Sequence, residues 1–137
     1  MRLLFAAPAV ASVVLTAAFT WLPTAHAEDP TPYVDHVEWA KWGDLSSLRV
    51  YPTPSARELS SQPDGAALAD EAWRQVLALS PDADIAGMRE QFVCHWTFAE
   101  LVEPGKTSWN LEPWRPEVSP EEMAATGCNP GGTEEPF

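Results

Sequence analysis

Cysteine is almost missing from this chain: Cys94 and Cys128 are the only two among 137 residues. No cysteine-based metal spacing is present, and no nucleotide-binding loop, catalytic motif or internal repeat stands out. Histidine is nearly as rare, at three, and eight basic side chains face 20 acidic ones, for a net charge of −12. So acidic a surface repels phosphate backbones and anionic lipid, which argues against nucleic acid or the membrane surface as partner. It leaves cationic partners, divalent cations or plain solubility as its uses.

One hydrophobic run stands apart, at the N-terminus. Arg2 is followed by an apolar stretch from Leu3 to Leu22, broken at Pro23 and succeeded by Ala25-His26-Ala27. A basic start, an apolar run and small residues at both inspected positions form a secretion signal over residues 1–27, with cleavage expected after Ala27. The alternative is a retained membrane anchor, because the run is long enough to span a bilayer. No cysteine follows the site, so lipid attachment there is excluded. Cleavage leaves residues 28–137 as one exported domain, with an ordered core expected over about 33–130. In an exported protein Cys94 and Cys128 are expected to pair; a free catalytic Cys94 beside His95 is the alternative.

The mature chain alternates between two periods. Tyr33 to Trp42 and Leu48 to Tyr51 read as strands separated by a turn at Trp42-Gly43-Asp44. From Ala66 to Leu79, Leu68, Ala72, Val76 and Leu79 make one apolar stripe widened by Ala69 and Trp73, which predicts an amphipathic helix with Asp64 as cap. Ser80-Pro81 stops it and opens a second short helix through Met88. Gln91 to Pro116 holds two runs rich in aromatic and β-branched residues around Pro104-Gly105, so a hairpin is expected. With an even loop, one hairpin face carries Phe92, Cys94, Trp96, Phe98, Trp109 and Leu111, and the other His95, Thr97, Asn110, Glu112 and Trp114; an odd loop shifts this register. Ser119-Pro120-Glu121-Glu122 is a capped helix start that ends near Gly127 and delivers Cys128. The fold class is α+β: a small antiparallel sheet of four or so strands, one main amphipathic helix packed on one face, and one disulfide.

The segments Gln91-Phe92-Val93-Cys94-His95 and Lys106-Thr107-Ser108-Trp109-Asn110-Leu111-Glu112-Pro113-Trp114-Arg115-Pro116 carry a resemblance. With Leu48-Arg49-Val50-Tyr51-Pro52-Thr53 and Ala72-Trp73, the chain resembles a family of small exported proteins, common in actinobacteria, catalogued only as a domain of unknown function. The likeness runs from about residue 35 to 130. It implies export and a single domain, and brings no activity with it.

Chemistry concentrates on the expected polar hairpin face. His95 and Glu112 are the candidate catalytic pair, base and orienter, with Thr97 or Asn110 nearby; His95 stacked on Trp114 as an ordinary strand residue is the other reading. His36, His95 and Glu112 have no recognisable metal-ligand spacing, so neither metal nor cofactor is expected. Trp114, Arg115, Asn110 and His95 are the candidate binding residues, since tryptophan and arginine anchor interfaces and tryptophan stacks on sugars. Core filling accounts equally for most tryptophans, and carboxylate pairing for Arg49, Arg57 and Arg115. The leading expectation is an exported binding or interaction module, a monomer, whose partner is a protein or an envelope glycan. The alternatives are a small envelope hydrolase using His95 and Glu112, and an inhibitor of a secreted enzyme.

Overall fold

The computed structural model describes Leu22 and residues 30–132. The expected leader, apart from Leu22, its cleavage site after Ala27, and the tail beyond residue 132 lie outside the described residues.

Two strands open the domain. β1 (Val34–Trp42) and β2 (Leu45–Pro52) pair antiparallel across a two-residue turn, with Trp42 opposite Leu45 and Trp39 opposite Leu48. Gly43 takes the positive φ, 58°, that this tight turn demands and that a side chain resists. Alternation turns Leu48 and Val50 into the core, with Val37 and Trp39 packed beside them. Arg49 and Glu38, one residue along, therefore lie on the opposite face. A third strand, β3 (Trp109–Leu111), pairs antiparallel with the far side of β2. Among the described residues the sheet thus has three strands, fewer than the four or so expected.

Pro52 ends β2, and the chain turns at once into α1 (Pro54–Ser60), where Pro54 occupies the first turn and the Thr53 side chain caps Ala56 N–H. The Ala66–Leu79 expectation resolves into a 3₁₀ turn, Gly65–Leu68, followed by α2 (Ala69–Leu79). Asp64 precedes that turn without making a side-chain cap. Gly65 sits where a Cβ would lie 2.1 Å from the Leu59 carbonyl, so only glycine lets α1 and this turn approach so closely. The helix expected after Pro81 is a single 3₁₀ turn, Pro81–Ala83.

The main correction concerns the expected hairpin. Residues 88–102 form α3 (Met88–Val102), the longest helix among the described residues, and within the expected hairpin only residues 109–111 are strand. Met88, Phe92, Trp96 and Ala99 recur at helical spacing and enter the core, whereas Phe98, expected on a core face, is 40% exposed. α2 and α3 together cover one face of the sheet, so the domain has two main helices where one was expected. Their aromatic residues interlock with β3: Trp73 to Phe92 at 5.6 Å, Phe92 to Trp109 at 6.0 Å, and Trp96 to Trp109 at 6.1 Å between ring centroids. The Trp96 indole N–H donates to the Gly65 carbonyl at 2.8 Å, so its burial leaves no orphaned donor.

The last helix follows expectation. α4 (Pro120–Ala125) is capped by the Ser119 hydroxyl, which accepts from Glu122 N–H at 3.2 Å. Gly127 and Cys128 both take positive φ as the chain reverses, and Cys128 is bonded to Cys94 on α3. Among the described residues no helix is long and apolar enough to cross a membrane.

Candidate functional site: a groove between two helices

The sequence-predicted site residues do not share an open hairpin face. Because residues 91–102 are helical, His95 projects from α3 toward β3, where its Nε2 lies 3.1 Å from the Asn110 carbonyl oxygen. Asn110 belongs to the sheet face opposite the core, and its side-chain oxygen accepts from the Ser108 hydroxyl at 2.8 Å. Both residues are buried. Glu112 is 0% exposed, and its carboxylate accepts from the Ser47 hydroxyl at 3.0 Å and from Arg115 Nε at 2.8 Å. Gln91 closes the network: its amide exchanges two 2.9 Å hydrogen bonds with the backbone of Glu112.

Arg115 then reaches the end of the described chain, donating to the carbonyls of Pro130 at 3.1 Å and Gly132 at 2.9 Å. Its guanidinium carbon lies 4.5 Å from the centroid of the Trp114 ring. Trp114 is half-buried, and its indole N–H is enclosed without a hydrogen-bond partner among the described residues. The distinctive segment from Trp109 to Arg115 therefore packs the core, satisfies a buried ion pair and fastens the C-terminal turn. Among the described residues His95 and Glu112 face different partners and make no contact that would form the base–orienter pair expected of them. Among the described residues no group of three His, Cys, Asp or Glu side chains is placed to hold a metal ion.

An open concave surface lies elsewhere. A groove of about 360 Å³ runs between α3 and α4. On one side it is lined by Val93, Thr97 and Phe98, and on the other by Val118, Met123 and Ala124. Buried Cys94 and Met123, with Cys128, form a small apolar cluster beneath it, separate from the main core. Three features of the chain create the groove. The Ser119-Pro120 start sets where α4 begins, the disulfide holds its far end to α3 with Cα atoms 5.6 Å apart, and the short side chain of Ala124 leaves space.

Beyond the groove α3 continues as an apolar ridge, with Phe98 40%, Leu101 64% and Val102 80% exposed. Phe98 also borders a second hollow of about 80 Å³, lined in part by His95, Lys106 and Cys128. At the groove's mouth stand Arg89 and Glu90, and Arg89 is already paired with Asp70. Outside the groove, the Ser80 hydroxyl, hydrogen-bonded to Asp82, holds that carboxyl below the usual aspartate range. The sequence did contain a signal for the groove, the 93/94, 97/98, 101 spacing of one helix face, but the strand reading of the same residues concealed it.

Residues 34–131 match the family model described as protein of unknown function (DUF2599). The chain is 64% identical over 104 residues to the uncharacterized protein Rv0477 of Mycobacterium tuberculosis, covering 76% of this chain and 70% of that protein. It is 54% identical over 103 residues to the uncharacterized protein ML2452 of Mycobacterium leprae, covering 75% and 83% respectively. No solved structure matches the chain.

Proposed function

The chain belongs to the DUF2599 family, whose function is unknown, and on that premise we propose that it is an exported, non-catalytic binding module whose ligand seat is the groove between α3 and α4. The observation that carries this reading is the pairing of a concave apolar groove of about 360 Å³ with an uncovered apolar ridge on the same helix. Water-exposed apolar surface costs about 25 cal/mol per Å², so a soluble domain that keeps a contiguous patch has a use for it. Its volume falls in the range of ligand pockets, roughly 300–1,000 Å³. Export is supported by the N-terminal sequence pattern and by the Cys94–Cys128 bond, which an oxidising compartment favours.

The hydrolase alternative asks His95 and Glu112 to act together on a substrate. Both are buried, and each is engaged by other groups of the fold. A neutral apolar fluorophore, N-phenyl-1-naphthylamine, tests the binding reading directly. Its emission should rise with the native protein and fall to background with Ala124→Trp, which fills the groove from an exposed helical position. No rise, or the same rise with the groove filled, would remove the groove as a ligand seat.

A further inference from the structure

We infer that the groove receives a cationic amphipathic helix of a partner protein, an inference that rests on the groove reading above. The first ground is shape. Glu90, Val93, Cys94, Thr97, Phe98 and Leu101 recur at i, i+3, i+4, i+7, i+8 and i+11, so they make one continuous face of α3. From Glu90 to Leu101 that face is about 17 Å long, at ~1.5 Å per residue. α4, six residues long, walls part of this face and the exposed Phe98 and Leu101 extend it, a track that suits about two to three turns of a second helix. Such a helix presents its own anchors at the same spacing, the helix-in-groove mode of recognition.

The second ground is charge. Glu90 lines the groove, exposed Glu117 comes close to Gly87 at the start of α3, and exposed Glu121 follows the lining residue Pro120. None of the three makes an ion pair among the described residues, whereas the nearby cations Arg89 and Lys106 are paired with Asp70 and Glu103. The groove's border is therefore net negative, on a molecule of net charge −12. Lysine or arginine flanking the partner's apolar face meets this border, and an acidic segment is repelled by it.

The test uses three synthetic peptides of about 14 residues: an amphipathic Leu/Lys helix, the same pattern in Leu/Glu, and a Leu/Lys sequence of identical composition with the periodicity scrambled. Binding to the folded protein is read by fluorescence anisotropy at low and high salt. The Leu/Lys helix should bind at least about tenfold tighter than either control at low salt, and lose much of that advantage when salt screens the border. Ala124→Trp and Leu101→Ser should abolish its binding, and Glu90→Gln with Glu117→Gln should weaken it several-fold while an unchanged melting temperature certifies the fold.

Equal binding of the Leu/Glu helix overturns the cationic partner, and if the apolar fluorophore still enters, the groove reading survives alone. Equal binding of the scrambled peptide, or indifference to Ala124→Trp, reduces the effect to bulk charge attraction and also overturns the proposal. Sedimentation showing a dimer that the Leu/Lys helix does not dissociate would assign the groove to a second copy of this chain and exclude the partner helix.

Discussion

Glu112 and Arg115 sit three residues apart with their side chains sealed from solvent, and both are fully engaged within the fold. A buried pair of this kind adds little net stability over apolar side chains of the same shape, but removing one member strands the other charge. Arg115→Met should therefore cost about 3–5 kcal/mol. Adding Glu112→Gln to it should restore part of the loss, since a neutral amide still accepts from Ser47. Urea midpoints of the two variants check this; a double variant less stable than the single one would contradict it. Asp82 supplies a smaller, pH-dependent effect. Its carboxyl is held below the usual range by Ser80, whose hydroxyl also accepts from the Trp39 indole at 3.0 Å. The lowered folded-state pKa stabilises the fold above the ordinary aspartate pKa, and the benefit is lost as pH falls through the lowered value. Asp82→Asn should flatten that part of the stability profile, with Trp39 among the fluorophores reporting it.

At the scale of elements, the disulfide is the clearest agent. α4 has only six residues, too short to persist without tertiary support. The cross-link spans 34 positions between Cys94 and Cys128, and in the chain-entropy model a loop of that size contributes about 3–4 kcal/mol. Replacing both cysteines by serine should lower stability by that order, and raise amide exchange over residues 118–131 more than in β1 and β2. Uniform exchange across the domain would show that the bond serves the whole core and not α4. The elements differ in how far they could be read from sequence. α2 was legible because its apolar stripe has one period only, and α4 because its capping serine and proline sit at fixed offsets. α3 was not. Phe92, Cys94, Trp96 and Phe98 alternate as a strand would, while Met88, Phe92, Trp96 and Ala99 recur as a helix would, and the aromatic, β-branched composition favoured the strand. Packing against α2 and β3 resolved the tie. That error carried the candidate site with it. As helix and loop, His95 and Glu112 turn inward, and the open apolar surface moves to Phe98 and Leu101.

For the whole molecule, the proposed export bears on the segment that leads into the fold. Among the described residues the first hydrogen-bonded backbone group is the Thr31 carbonyl, which accepts from the Gln75 side-chain amide at 2.8 Å. Gln75 then accepts from Tyr33 N–H at 2.7 Å, and Thr53 donates to the Pro32 carbonyl at 2.7 Å. Anchorage by α2 and the β2–α1 junction thus begins four positions after Ala27. The proposed cut after Ala27 leaves the polar Glu28-Asp29-Pro30 ahead of Thr31. The same proposed cut removes Arg2 and leaves seven basic against 20 acidic residues, a net of −13, a charge that would keep a released domain dispersed. We therefore expect the exported product to begin Glu28-Asp29-Pro30-Thr31 and to carry no free thiol when denatured without reductant. A leaderless version made in a reducing cytosol should instead carry two. N-terminal sequencing and thiol titration of both preparations check the two halves separately. Recovery of Met1 with an intact apolar run would establish a membrane-anchored protein and overturn the soluble, released state on which the charge argument depends.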